Sequence, residues 1–159
     1  MKIQKHLPNT FTIFNLLAGS IGIVAAFNGR FHDAALLILL GGVFDFLDGF
    51  FARIFNVRSD LGKELDSLAD IITFGLLPAF LYYHLLGEMS EGYYPYFALL
   101  IVVASAFRLA RFNIDTGQQD HFIGLPTPAN AFLTAGLVFV YLEQWESLAF
   151  LYQDINILA

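Results

Sequence analysis

Residues 45–70 read DFLDGFFARIFNVRSDLGKELDSLAD, and this stretch decides the architecture. Asp45 and Asp48 stand three apart and Asp66 and Asp70 four apart, so each pair projects from one face of a helix. The connection between the two pairs is short, which makes the helices antiparallel neighbours able to bring both pairs together. Asp45 precedes Arg53 by eight residues, roughly 12 Å of helix at about 1.5 Å per residue, which sets it below the polar edge of an apolar span. Carboxylates at that depth are costly unless neutralised. Arg53 alone cannot neutralise four of them. One or two divalent cations can, and all-oxygen ligation suits Mg²⁺ and Mn²⁺. Two such ions would clamp a phosphate and its leaving group.

The rest of the chain supplies the solvent for that reading. Of 159 residues, 57% are hydrophobic and 14% charged, too apolar for a soluble domain of this length. Eighteen Phe residues fit lipid-facing and interhelical surfaces better than one compact core. A net charge of -6 argues against a nucleic-acid partner, and the absence of Cys excludes disulfides and thiol catalysis. No cleavable signal peptide is expected, so the first segment is read as retained.

Five stretches are long enough to cross a bilayer, which takes about 20 helical residues. They run from Phe11 to Phe27, Asp33 to Ile54, Leu65 to Leu86, Tyr93 to Ala110 and Pro128 to Tyr141. A sixth begins near Ser147 but carries Gln153, Asp154 and Asn156 before Ala159, so the chain is expected to stop inside a helix. The expected fold is all-α: residues 1–159 form one transmembrane domain, a polytopic bundle of five complete spans and an incomplete sixth. Met1 to Leu7, with Lys2, Ile3, Lys5 and Leu7, is read as a short amphipathic segment lying along the cytoplasmic interface.

Charge sets the orientation. Lys2, Lys5, Arg53, Arg58, Lys63, Arg108 and Arg111 fall on one side of an alternating topology and Arg30 on the other, which predicts a cytoplasmic amino terminus and places Glu88, Glu91, Glu143 and Glu146 outside. Around the carboxylates, Gly49 and Gly62 leave room for a ligand or a helix to come close. Ser59 and Arg53 can hold phosphate or ribose oxygens, Arg being suited to a bidentate grip. Asp60 is read as a solvated loop residue or helix cap. Ala18, Gly22 and Ala26 recur every fourth position, a helix-packing stripe in lipid. Asn15 is read as bonding a neighbouring helix. His6, His32, His84 and His121 lack ligand spacing and are given no chemistry.

A proton relay or ion path would account for one Asp pair. It does not account for eight fixed identities at fixed spacing. The pattern Asp45-x-x-Asp48-Gly49-x-x-Ala52-Arg53, eight residues, Gly62-x-x-x-Asp66-x-x-x-Asp70 resembles the complete signature of the CDP-alcohol phosphotransferases. That resemblance implies two bound metals shared by Asp45 and Asp66, with Asp48 and Asp70 completing the site and Asp70 acting also as general base. It implies as well that Gly49, Ala52, Arg53, Ser59 and Gly62 line the pocket for CDP. Pro8-Asn9-x-x-Thr12 resembles the nucleotide-side segment of the same family, which adds Asn9 and Thr12 to the CDP-lipid contacts.

Two later stretches, Phe107-Arg108-Leu109-Ala110-Arg111-Phe112-Asn113 and Gly124-Leu125-Pro126-Thr127-Pro128-Ala129-Asn130, resemble the phosphatidylserine synthase branch of that family. Arg108 and Arg111 share a helix face and suit a serine carboxylate or a lipid phosphate, although the positive-inside rule explains them equally well. Asn113 suits the serine ammonium. Pro126 and Pro128 predict an extended entry into the fifth span. The expected activity is transfer of a phosphatidyl group from CDP-diacylglycerol to L-serine, releasing CMP, in the cytoplasmic membrane and as a homodimer. Glycerol 3-phosphate or an inositol phosphate is the alternative acceptor, and a divalent-cation transporter is the alternative of another class.

Overall fold

The apolar run that opens at Leu7 becomes a helix, α1 (Leu7–Phe27), and its end is written in the residues that follow. Gly29 takes φ of 72°. The amides of Gly29 and Arg30 then bond back to the carbonyls of Ala26 and Ala25, the paired closure that a left-handed residue after a helix permits. The second helix, α2 (Phe31–Ile54), ends in the same way. Here Asn56, at φ of 48°, supplies the left-handed residue, and the amides of Asn56 and Val57 bond to the carbonyls of Arg53 and Ala52. The chain is thereby turned back within a few residues. Ser59 starts α3 (Asp60–Asp70) by accepting from the Gly62 amide at 3.0 Å, so the cap is Ser59 and Asp60 is the exposed first residue of the helix.

This computed structural model describes residues 7–57, 59–89, 92–114 and 125–157, with side chains as far as residue 144. Among them every regular element is helical. The expected interfacial segment lies outside the described residues except for Leu7, as do Arg58, Glu91, His121, Gly124 and the side chain of Glu146.

After Asp70 the helix widens to a π-helical stretch, Ile71–Leu76, and then resumes as α4 (Leu77–Met89). Pro78 accounts for the change, because its ring nitrogen cannot donate and its ring clashes with the carbonyl four residues back. A 3₁₀ stretch (Tyr94–Leu99), opened by Pro95, leads into α5 (Leu100–Ile114). The last helix is α6 (Thr127–Ile157). Residues 125–126 precede it without regular structure, and Pro128 lies in its first turn. A separate sixth span was expected near Ser147, whereas α6 continues through that point as one helix of 31 residues.

Small residues line the close helix contacts, and many large apolar ones face outward, unlike the surface of a soluble domain. Ala18, Gly22 and Ala26 are buried, as the packing stripe required. A Cβ on Gly22 would strike Leu77, and one on Gly42 would strike the Phe132 ring. The centre is filled by Ile38, Phe74, Leu77, Leu81, Ala131, Ala135 and Val138. Val24 and Phe46, by contrast, are each 61% exposed and Phe107 is 75% exposed. Lipid is the solvent that makes such a surface favourable, because helices in a bilayer associate through close packing and not through apolar burial. Among the described residues, four helical stretches are long and apolar enough to cross: Leu7–Phe27, Phe31–Ile54, Asp60–Met89 and Tyr94–Ile114. The chain is a multi-pass membrane protein.

The ends of the bundle differ in chemistry. At one end Lys63 Nζ donates to the Asn113 carbonyl at 2.6 Å, tying the start of α3 to the end of α5. At the other, Tyr141 donates to Glu88 at 2.5 Å, and Arg30, His32, Asp33 and Glu143 line a cleft with Phe139. Exposed Tyr93, Tyr94 and Tyr96 cluster at that second end, as aromatic residues do at a membrane–water boundary.

Candidate active site

Helical spacing puts Asp45 and Asp48 on one side of α2, and the tight turn at Asn56 folds α3 back against that side. The result is convergence: Asp45, Asp48 and Asp66 each offer a carboxylate oxygen, and these atoms all lie within 4.8 Å of one another. Asp48 is buried, while Asp45 and Asp66 are half-buried. Asp70, one turn beyond Asp66, stands outside that tight group but is buried beside it, within electrostatic reach of the other three.

Two neutral donors reach these carboxylates. Thr12 Oγ1 donates to Asp48 Oδ2 at 2.8 Å, and Asn15 Nδ2 donates to Asp70 Oδ1 at 3.1 Å. Asp66 Oδ1 is buried and has no hydrogen-bond partner among the described residues. Three crowded carboxylates with an orphaned oxygen in an apolar bundle repel one another unless a cation joins them. The donor set is all oxygen, so it fits a hard divalent cation.

The remaining expected residues surround this cluster at one end of the bundle. Asn9, on the first turns of α1, sits so close to α3 that a Cβ on Gly62 would lie 3.0 Å from both Asn9 Oδ1 and Ser59 Oγ. Gly62 is thus the point at which α1 and the α3 cap meet. Gly49 keeps an open side: a Cβ there would meet Arg53 Nη2 at an ordinary 3.6 Å. Arg53 folds back along α2, its Nε donating to the Gly49 carbonyl at 2.9 Å, and Ala52 is half-buried. Thr12 is buried with its hydroxyl directed at Asp48, so it reaches the site through that carboxylate.

On α5, Arg108 is half-buried and Arg111 exposed. Asn113 donates from Nδ2 to Ser67 Oγ at 2.9 Å, next to Asp66. The end of α5 is therefore held against the carboxylate-bearing α3 twice, by Asn113 and by Lys63. Sequence reasoning missed Lys63, Ser67 and Thr73 as parts of this frame. It read Asn15 as a helix contact, which it is, but its partner is the site carboxylate Asp70. The available signal was Thr12 and Asn15 standing three apart in an otherwise apolar helix.

A family model and three relatives resemble this sequence. A family model described as CDP-alcohol phosphatidyltransferase matches residues 5–157. A CDP-diacylglycerol–serine O-phosphatidyltransferase of Bacillus subtilis is 35% identical over 142 residues, 87% of this chain and 78% of the relative. One of that name from Helicobacter pylori is 40% identical over 128 residues, 79% of this chain and 54% of the relative. An archaetidylserine synthase of Methanothermobacter thermautotrophicus is 37% identical over 132 residues, again 79% of this chain and 54% of the relative. The chain thus spans about half the length of the latter two. No solved structure matches it. Because the family match runs through both carboxylate helices and on to the end of α6, the chain belongs to the CDP-alcohol phosphatidyltransferase family.

Proposed function

We propose that this chain transfers the phosphatidyl group of CDP-diacylglycerol to the hydroxyl of L-serine, giving phosphatidylserine and CMP. The observation that carries the reading is the meeting of Asp45, Asp48 and Asp66 within 4.8 Å in a chain of this family. Serine as acceptor is supported by the names of relatives at 35% to 40% identity, whose lipid part varies between phosphatidyl and archaetidyl while serine stays.

In this reading Asp45, Asp48, Asp66 and Asp70 hold two divalent cations, Mg²⁺ or Mn²⁺, which when bound neutralise the diphosphate and the charge that develops on it. Asn9, Gly49, Ala52, Arg53, Ser59 and Gly62 form the mouth that receives the CDP half, with Thr12 behind Asp48. Arg53 offers donors to phosphate or ribose oxygens, and Gly49 gives the backbone room for a close approach. Arg108 and Arg111 attract the serine carboxylate, and Asn113 accepts from its ammonium. Asp70 takes the proton from the serine hydroxyl. The freed oxygen forms a bond to the lipid-side phosphorus, the bond from that phosphorus to the CMP oxygen breaks, and the electron pair leaves with CMP.

The whole chain acts as one transmembrane domain in the cytoplasmic membrane, with its amino terminus and this site facing the cytosol, and works as a homodimer. Support for the orientation is the gathering of Arg53, Lys63, Arg108 and Arg111 towards the end of the bundle that carries the carboxylates.

One assay tests the reaction. Purified protein in detergent micelles is given CDP-diacylglycerol, Mn²⁺ and an equimolar mixture of serine, glycerol 3-phosphate and inositol phosphate, and the lipid products are read by mass spectrometry. Phosphatidylserine with stoichiometric CMP is the expected outcome. A different phospholipid would replace the acceptor, and no CMP from any alcohol would favour ion transport through the carboxylate cluster.

A further inference from the structure

Two polar side chains lie deep in the apolar α1, Thr12 at 3% exposure and Asn15 at 0%. They stand three apart and so share a face. Each reaches a different carboxylate helix: Thr12 donates to Asp48 on α2, and Asn15 donates to Asp70 at the end of α3. Each bond occupies one oxygen of its aspartate and leaves the second to other partners. Neither donor adds a charge to the cluster.

Asn15 holds its place against a penalty. Its Oδ1 is buried with no hydrogen-bond partner among the described residues. An apolar side chain of the same volume would avoid that orphan, so the bond from Nδ2 to Asp70 is what offsets it. The surroundings leave the amide little freedom. A Cβ on Gly41 would lie 3.0 Å from Asn15 Oδ1, and Thr73 Oγ1 donates to the Asn15 carbonyl at 2.9 Å, pinning the backbone from the π-helical side.

We propose that Thr12 and Asn15 are positioning residues, a pair of neutral donors on α1 that fix the carboxylate orientations of Asp48 and Asp70 from behind. Neither touches substrate; each acts through its aspartate. The inference rests on the metal-bearing reading of those two aspartates. Contacts of this kind behind a metal ligand typically change affinity or activity by about 10–100-fold when removed.

The test uses the full chain in mild detergent, with Thr12→Val, Thr12→Ser and Asn15→Leu. Mn²⁺ is titrated against the thermal unfolding midpoint, a readout that needs no substrate, and kcat and KM for serine are measured separately. Thr12→Val is expected to need about 10–100-fold more Mn²⁺ for half the stabilisation, while Thr12→Ser, which keeps the hydroxyl, titrates like the parent. Asn15→Leu is expected to lose about 10–100-fold in kcat with KM for serine unchanged. A Thr12→Val protein that titrates like the parent, or a folded Asn15→Leu protein with the parent kcat, overturns the proposal. Should Asn15→Leu not fold, the Val and Ser pair at Thr12 decides. A parent that is stabilised by Mn²⁺ but releases no CMP with serine overturns the proposed reaction and leaves this positioning role standing.

Discussion

Asp70 combines burial with a neutral donor on one of its oxygens, an arrangement that fixes where the other oxygen points. Replacing it with Asn keeps an oxygen for Asn15 and nearly the same shape but removes the ability to accept a proton. Asp70→Asn is therefore expected to retain CDP-diacylglycerol binding while turnover falls by about 10²–10⁴-fold, the usual contribution of a positioned base. Equilibrium binding of the nucleotide lipid beside a CMP-release assay checks this, and turnover at the parent rate would remove Asp70 from the role. Asp66→Ala provides the contrast, since it deletes the α3 carboxylate that meets the α2 pair. That variant is expected to lose the thermal stabilisation that Mn²⁺ confers on the parent. Asp66→Ala reports on cation holding, and because Asp70 is proposed as both cation ligand and base, it is lost turnover with the Mn²⁺ stabilisation retained in Asp70→Asn that assigns the proton step.

The helices meet at places where a side chain is missing. Thr73 of the π-helical stretch enters the gap between Gly19 of α1 and Gly41 of α2, so that a Cβ on Gly19 would overlap Thr73 and one on Gly41 would lie 2.5 Å from Thr73 Cγ2. Gly19→Ala strikes the Thr73 backbone as well as its side chain, which cannot rotate away, and overpacking of this kind costs about 1–3 kcal/mol. A lowered unfolding midpoint is expected for Gly19→Ala, with no drop for Gly136→Ala, where the added methyl would meet open space within a helix. Equal midpoints would mean that the gap relaxes. Much at this scale was legible in the residues. Period and composition gave an apolar helical bundle and four of the five expected spans, and the three- and four-residue spacings put each aspartate pair on one face, because both signals are local to a helix. The π-helical stretch and the role of Asn15 were not. Pro78 explains the first but does not say how the ladder relaxes ahead of it, and the second depends on a partner far along the chain, since Asp70 is 55 residues from Asn15. A lone amide in an apolar span does not name its partner. The passage of α6 through Ser147 was missed for a different reason: polarity marks where a helix leaves lipid and not where its hydrogen bonding stops.

Taken whole, the molecule is a bundle with a cationic end and a tyrosine-rich end. Single cysteines, in a chain that has none of its own, give a direct reading of which end faces which compartment. A cysteine at exposed Asn56 is expected to resist an impermeant maleimide in intact cells and to react after lysis, whereas one at exposed Tyr93 should react in both. The reverse pattern would turn the chain over and place the carboxylates outside. The carboxylates and the two side chains that donate to them come from the separate helices α1, α2 and α3, which are held to one another by shape and a handful of polar bonds. Every backbone ladder, on the other hand, closes within its own helix. A surfactant short enough to wedge between the helices would thus silence the enzyme while far-ultraviolet circular dichroism still recorded a full complement of helix.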